Sequence, residues 1–182
     1  MNTYGYVGGN PSKWADPNGL KVMIVGHMAG GALGRVTNPN SYHLALYLDP
    51  DDKCECKGNW PMTVGGQFAP YSGTLVSAYN YPGDSLANAT HQQIVPTPAG
   101  MSDCDFIKSI LRGTFKYPSN TEYSFPEISP VPGRSDGSMP PGSYNSNSYV
   151  SGALTAAGAA PPTINTGGAF QVPGYSNPLP MH

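Results

Sequence analysis

The stretch from Tyr144 to Gly158 constrains the fold most, because a long irregular run becomes regular in pattern there. Counted from Ser146, apolar side chains follow at offsets of three, four, seven, eight and eleven, the buried stripe of an amphipathic helix. Asn145, Ser146 and Asn147 are residue types that accept hydrogen bonds from the free N–H groups of a helix start. Gly158 can adopt the left-handed conformation that ends a helix. The pattern therefore predicts a buried helix with a serine hydroxyl in its first turn, where developing negative charge is favoured.

Composition limits the class of protein. A chain of 182 residues is long enough for one domain with a real core. The 23 glycines and 20 prolines predict many turns, whereas 38% hydrophobic and 10% aromatic residues argue against disorder. A net charge of −2 offers no basic face for nucleic acid. We also expect no stable membrane span, because no apolar run approaches the ~20 residues required, and no signal peptide, because the basic-then-apolar pattern is missing.

The remaining chain predicts short strands and one further helix. The best strand is Tyr42–Leu48, in which Tyr42 and the leucines face one way while His43, Ala45 and Tyr47 face the other. Shorter strands are predicted at Val22–Val25, Thr63–Val64, Thr74–Tyr79 and Ile94–Val95. A second helix is predicted at Ser102–Leu111, capped by Ser102 and ended by Gly113. We therefore expect an α+β domain with a small antiparallel sheet, a few helices and long Pro/Gly-rich loops.

Residues 1–20 carry a resemblance to a known family. Their sequence, Y-G-Y-V-G-G-N-P-x-x-W-x-D-P-x-G-L, is similar to the end of the core domain of Rhs (rearrangement hotspot) proteins, the bacterial polymorphic toxins. In that family a β-cage core cuts its own chain just after this signature, and the variable toxin follows. The resemblance implies a cleavage junction at Leu20–Lys21, a toxin domain over residues 21–160 and a Pro/Gly-rich tail over 161–182. It also implies delivery into a target bacterium by a secretion apparatus, type VI, and a cognate immunity protein as partner.

A second resemblance concerns the chemistry. Tyr42–Leu48 is similar to the H-x-x-x-Y strand of lecithin-retinol-acyltransferase-like proteins, and the segment around Ser146 is similar to the N-C-x-x-F motif of that group and of PPPDE-type permuted peptidases. These are papain-like folds in which a strand histidine precedes the nucleophile helix. The resemblance implies a permuted papain-like topology, with His43 as base and Ser146 in place of the family cysteine.

Other candidate residues accompany this pair. Ser148 is the alternative nucleophile, although its helical phase is less favourable than that of Ser146. His91 is the candidate third catalytic residue, and His27 is another possible base. Asn145 and Asn147 are candidates for binding the oxyanion or orienting the histidine. We expect no cofactor; the Cys54-Glu55-Cys56 pair lacks a histidine at the usual metal-site spacing, and with Cys104 the cysteines are too few for a disulfide scaffold.

The predicted function is thus a secreted Rhs effector toxin domain that acts as a Ser/His hydrolase or acyltransferase on an acyl, ester or amide bond. Serine would attack the carbonyl carbon, and N–H groups at the helix start would hold the oxyanion. The alternative is a non-enzymatic toxin that acts on a membrane or binds a target.

Overall fold

The computed structural model describes residues 21–29, 41–50, 54, 60–126, 139–140, 142–168 and 171–181. Within them lies a five-stranded antiparallel sheet in the order β4-β3-β2-β1-β5. The strands are β1 (Lys21–Met28), β2 (Tyr42–Asp49), β3 (Met62–Ala69), β4 (Thr74–Tyr79) and β5 (His91–Ile94). A 3-10 turn (Pro82–Asp84) follows β4, and two helices complete the fold, α1 (Asp103–Lys116) and α2 (Ser146–Ala156). The α+β class with a small antiparallel sheet is confirmed, whereas the permuted papain-like topology stays a prediction.

The two helices begin where the sequence predicts. The Ser102 side chain accepts a hydrogen bond from the Asp105 N–H, and that of Asn145 accepts from the Asn147 and Ser148 N–H groups. Gly158 has a φ of 85°, the left-handed conformation expected after α2. The predicted end of α1 at Gly113 is wrong.

The helix α1 continues through Gly113 to Lys116. At Gly113 a Cβ would lie 3.6 Å from Ala156 of α2. This glycine therefore lies where the two helices come close together, and it does not end the helix.

The strand β1 is longer than predicted. The sequence predicts an end at Val25, but the strand runs through Gly26 and includes His27. A Cβ on Gly26 would lie 2.9 Å from a methyl group of Leu44 on the neighbouring strand. Glycine is thus present for close packing inside the sheet, and His27 is a strand residue.

One face of the sheet forms the core with the helices. The leucine face predicted for β2 is confirmed, because Leu44, Leu46 and Leu48 are fully buried. They share the core with Tyr149 and Leu154 of α2. The described part of the tail belongs to the same core, since Ile164, Tyr175 and Leu179 are buried in it. The Leu179 N–H also donates to the Ser148 carbonyl at 2.9 Å. None of the described helices is long and apolar enough to cross a membrane.

The opposite face of the sheet is covered by the 3-10 turn. Consecutive glycines of β3 make the distinction plain: a Cβ on Gly66 would lie 2.7 Å from Tyr149 of α2, and one on Gly65 would lie 2.9 Å from the Asp84 carboxylate. Side chains alternate along a strand, so Gly65 and Gln67 share the face covered by the turn. His43 lies on this face because it follows the same alternation as Ala45, whose Cβ is 3.2 Å from the Cβ position of Gly65.

Candidate functional site

Four polar side chains meet on the face covered by the 3-10 turn. The Nε2 atoms of His27 and His43 lie 3.0 Å and 3.1 Å from the same oxygen, Oδ1 of Asp84. The Gln67 Nε2 atom is 3.0 Å from His43 Nε2 and 3.4 Å from Asp84 Oδ2. We call His27, His43, Gln67 and Asp84 the histidine–carboxylate cluster.

The sheet register brings the two histidines together. His27 of β1 and His43 of β2 are direct cross-strand partners, and their ring centroids are 5.0 Å apart. Asp84 ends the 3-10 turn and is fully buried, while the side chains of His27 and His43 are 18% and 11% exposed. The missing side chain at Gly65 leaves room for the carboxylate. The cluster is therefore buried at its acid and reaches solvent at its imidazoles.

The hydrogen-bond partners of His27 show where one of its ring protons lies. His27 Nδ1 lies 3.0 Å from the Met28 carbonyl, which can only accept, so Nδ1 carries a hydrogen. The other nitrogen of the same ring faces a carboxylate oxygen, also an acceptor. His27 is thus either doubly protonated or presents a bare lone pair to something other than the carboxylate.

The pKa shifts of His27 and Asp84 agree with this arrangement. The hydrogen bond to Asp84 is the main cause that raises the pKa of His27 above 6.5, against an opposing effect of burial. Burial favours the neutral form of Asp84, but hydrogen bonds from His27 and His43 outweigh it and hold the pKa of the carboxyl below 3.8. Both shifts favour an ionised Asp84 beside a protonated His27.

The structure does not bring His43 and Ser146 together. The cluster lies on one face of the sheet, and α2 packs on the other. Ser146 is 4% exposed and lies next to the Tyr123 phenol, whose pKa is raised by burial. The predicted Ser–His pair is therefore not formed here, because strand alternation directs the imidazole away from the helix.

The other residues predicted around Ser146 have structural partners. The Ser148 hydroxyl donates to the Gly174 carbonyl, and the Asn145 amide donates to the Pro173 carbonyl. The Asn147 side chain accepts from the Leu44 N–H at 2.9 Å and donates to the Tyr42 carbonyl at 2.9 Å. At the helix start, the N–H groups of residues 147 and 148 are bonded to Asn145.

His91 belongs to a different part of the sheet. It pairs with Gly26 in β5, and its Cβ lies 3.4 Å from the Cβ position of that glycine, on the same side as Leu44. Burial lowers the pKa of His91. It therefore does not join His43, and the third predicted catalytic residue lies on the helix side of the sheet.

The remaining candidate residues are the cysteines and the two residues of the predicted cleavage junction. Cys54 and Cys104 form a disulfide with Cα atoms 5.5 Å apart, which links residues 50 positions apart in sequence. Leu20 and Cys56 lie outside the described residues, and Lys21 is the first residue of β1.

Sequence reasoning missed Asp84 and Gln67. Asp84 follows Pro82 and Gly83 in what reads as an ordinary turn, and Gln67 lies in a strand predicted too short. Of the four cluster residues, only the two histidines could be identified as candidates from the sequence, because both lie next to apolar strand residues. The carboxylate reaches them through the fold.

An open groove of about 310 Å³ lies on the same face of the sheet as the cluster, on the 3-10 turn that carries Asp84. Tyr81 and Pro82 line it at the 3-10 turn, with Tyr47 and Thr63 from the sheet face that carries His43. A Cβ on Gly83 would lie 2.8 Å from the Tyr81 ring and 3.7 Å from the His27 ring. The groove and the cluster thus flank the same turn.

The fold and the site define a small α+β domain with a buried histidine–carboxylate cluster beside an open groove. No family model matches this chain, and no curated protein or solved structure matches it either. The function is therefore argued from the cluster itself.

Proposed function

We propose that the chain from Lys21 onward is the toxin domain of an Rhs effector, and that it hydrolyses an acyl, ester or amide bond at the histidine–carboxylate cluster. The single observation that carries the chemistry is the meeting of two imidazole nitrogens on one fully buried carboxylate oxygen. Titratable groups that share a site in this way are typical of catalytic centres. The assignment to Rhs proteins rests on residues 1–20 of the sequence.

Water is the nucleophile in this proposal. Within the described residues, the side-chain partners of His27 and His43 are Asp84 and Gln67, so the cluster contains no hydroxyl or thiol to attack the substrate. The water oxygen bonds to the carbonyl carbon and its proton passes to a basic atom of the cluster. The bond to the leaving oxygen or nitrogen then breaks, and the leaving group takes up that proton.

The groove beside the 3-10 turn is where we place the substrate. Its lining is uncharged and largely apolar, with two tyrosines, two prolines, a methionine and a leucine. Its volume is at the lower end of the range for small-molecule sites. An acyl chain or a sugar ring fits such a lining better than a polyanion does.

The disulfide favours an oxidising compartment as the place of action. Disulfides persist in the bacterial periplasm and are rare in the cytoplasm. Cys54–Cys104 closes a loop that includes β3, β4 and β5. We therefore propose that the secreted domain acts in the periplasm of the target cell, with a cognate immunity protein protecting the producer.

The test expresses the full chain in bacteria, once in the cytoplasm and once with a periplasmic leader, and counts viable cells. Asp84→Asn and His43→Gln remove a cluster member each, while Ser146→Ala removes the hydroxyl on the other face. His91→Gln is the matched control, a strand histidine in the same sheet. Circular dichroism verifies that each purified variant is folded.

We expect periplasmic killing that Asp84→Asn and His43→Gln each reduce by about 100-fold or more, within the range typical of a lost acid–base group. Ser146→Ala and His91→Gln should kill as the parent does. Loss of killing in a folded Ser146→Ala protein would overturn the assignment to the cluster. Killing by every variant, together with dye leakage from liposomes, would instead favour the non-enzymatic alternative.

A further inference from the structure

We infer that His27, His43 and Asp84 form a binding site for one divalent transition-metal ion, with Zn²⁺ as the best fit. One ligand atom from each residue is available, and the three lie within 4.8 Å of one another. This inference goes beyond the proposed function, because it concerns binding and holds for a catalytic or a structural ion.

Donor and acceptor roles carry the argument. The Nδ1–H of His27 is used by the Met28 carbonyl, so its neutral ring presents a lone pair at Nε2. His43 Nε2 lies 3.1 Å from Asp84 Oδ1 and 3.0 Å from the Gln67 amide nitrogen, so it donates to the first as N–H or accepts from the second as a lone pair, and a neutral ring with its hydrogen on Nδ1 presents that lone pair. Asp84 Oδ1 adds a third. With both rings neutral and protonated at Nδ1, three lone pairs lie within 4.8 Å of one another, an arrangement that a cation between them would stabilise.

The partners behind the ligands are those of a metal site. Metal-bound histidines usually donate their second ring N–H to a carbonyl or carboxylate, which fixes the ring. The His27 bond to the Met28 carbonyl has this form. Gln67 lies 3.4 Å from Asp84 Oδ2, the oxygen that does not face the imidazoles. The two strands and the turn therefore hold the donor atoms in place.

The two distances from Asp84 Oδ1 to the imidazole nitrogens are close to those of a zinc site, and all three ligand atoms lie within 4.8 Å of one another. Bonds of about 2.0–2.1 Å in a tetrahedral zinc site place ligand atoms about 3.3 Å apart. The Oδ1 atom of Asp84 is 3.0 Å from one imidazole nitrogen and 3.1 Å from the other. Because both imidazoles are partly exposed, the rings can shift to bring all three ligand atoms to the distances that the ion requires.

The donor set selects the kind of ion. Imidazole suits zinc, copper, iron and nickel, whereas calcium and magnesium prefer sites made of oxygen alone. Three protein ligands leave a fourth position for water, the pattern of a catalytic rather than a closed structural zinc site.

The competing occupant is a proton. A second proton on His27 would bridge its Nε2 to Asp84 and satisfy the cluster without any metal. The experiment must therefore separate a metal centre from a buried ion pair, and from metal bound by cysteines or surface histidines.

The full chain is stripped with a chelator and titrated with zinc sulfate by calorimetry, and bound metal is counted by mass spectrometry. Cys56→Ser, His91→Gln and His182→Gln are introduced together as the background, so that the third cysteine and the two histidines outside the cluster are absent. His27→Ala and Asp84→Ala are then added to this background one at a time. X-ray absorption on the zinc-loaded parent identifies the ligand atoms without any substitution.

We expect one zinc per chain in the parent and in the background protein, and an affinity about 100-fold weaker or lost after either cluster substitution. The absorption spectrum should show nitrogen and oxygen ligands with two imidazole rings. No binding by the parent, or unchanged binding without His27 or Asp84, would overturn the inference, as would sulfur ligands. Killing by a metal-free protein would leave the hydrolase proposal in place, whereas zinc binding without any hydrolysis would leave the metal site.

Discussion

Replacement of Asn147 by alanine tests whether the start of α2 is a structural junction or an oxyanion site. Asn147 is 2% exposed. The pairing of β2 with β3 begins only at Ala45, and the Asn147 side chain bonds to the backbone of the residues of β2 before that point. It accepts from the Leu44 N–H at 2.9 Å and donates to the Tyr42 and Pro173 carbonyls at 2.9 Å and 3.1 Å. Alanine removes all three bonds.

The expected cost follows from what each partner loses. The Leu44 N–H stays buried, and such an unpaired group costs about 1–3 kcal/mol. The Tyr42 carbonyl loses a hydrogen bond worth about 0.5–1.5 kcal/mol. The Pro173 carbonyl keeps its bond from the Asn145 amide at 3.0 Å, so it adds little. We therefore expect the free energy of unfolding to fall by about 2–4 kcal/mol.

Urea denaturation followed by circular dichroism measures this change, with Asn165→Ala as the control. Asn165 is exposed and bonds only within its own turn through its side-chain oxygen, so its loss should change stability by about 0.5 kcal/mol or less. A loss of less than about 1 kcal/mol in Asn147→Ala would refute the junction. If killing per folded molecule vanished while stability stayed unchanged, Asn147 would be an oxyanion ligand.

Three further outcomes are expected. Ser102→Ala should lower the free energy of unfolding by about 1 kcal/mol in urea titrations, because the α1 cap is lost; an unchanged midpoint would contradict this role. Cys104→Ser should lower it by up to about 4 kcal/mol, because the Cys54–Cys104 bond closes a span of 50 residues; equal stability of the oxidised and reduced parent would argue against the bond. In chelated protein, stability should fall as pH rises above 6.5 through the raised pKa of His27, and should fall again in acid as Asp84 becomes protonated below 3.8. Urea titrations across this range, with His27→Gln lacking the alkaline decline, check the sign.

Local patterns predicted the helices and most strands, because caps and alternation are encoded by neighbouring residues. Ser102, Asn145 and Gly158 have the expected roles, and the leucine face of β2 is buried as predicted. Glycine misled twice, at Gly26 and Gly113, because its use there is close packing with a distant element. Such contacts leave no mark in the local sequence.

The candidate site was only half visible. His43 was identified as chemically important, but it was paired with the wrong side of the sheet. The alternation of side chains along β2 already indicated that His43 cannot face the helix. The leucine face of this strand packs against the buried helix, and His43 points the other way. Asp84 could not be assigned, because only the path of the chain after β4 carries that turn back over β1 and β3.

Gly65 and Gly66 make the sheet thinnest at the centre of the domain. At this position the Tyr149 ring and the Asp84 carboxylate are divided by a single layer of main chain. A side chain added at Gly65 would collide with the Asp84 carboxylate, and one added at Gly66 would collide with Tyr149 of the helix. Substitutions on either face of the sheet must therefore leave this pair of glycines unchanged.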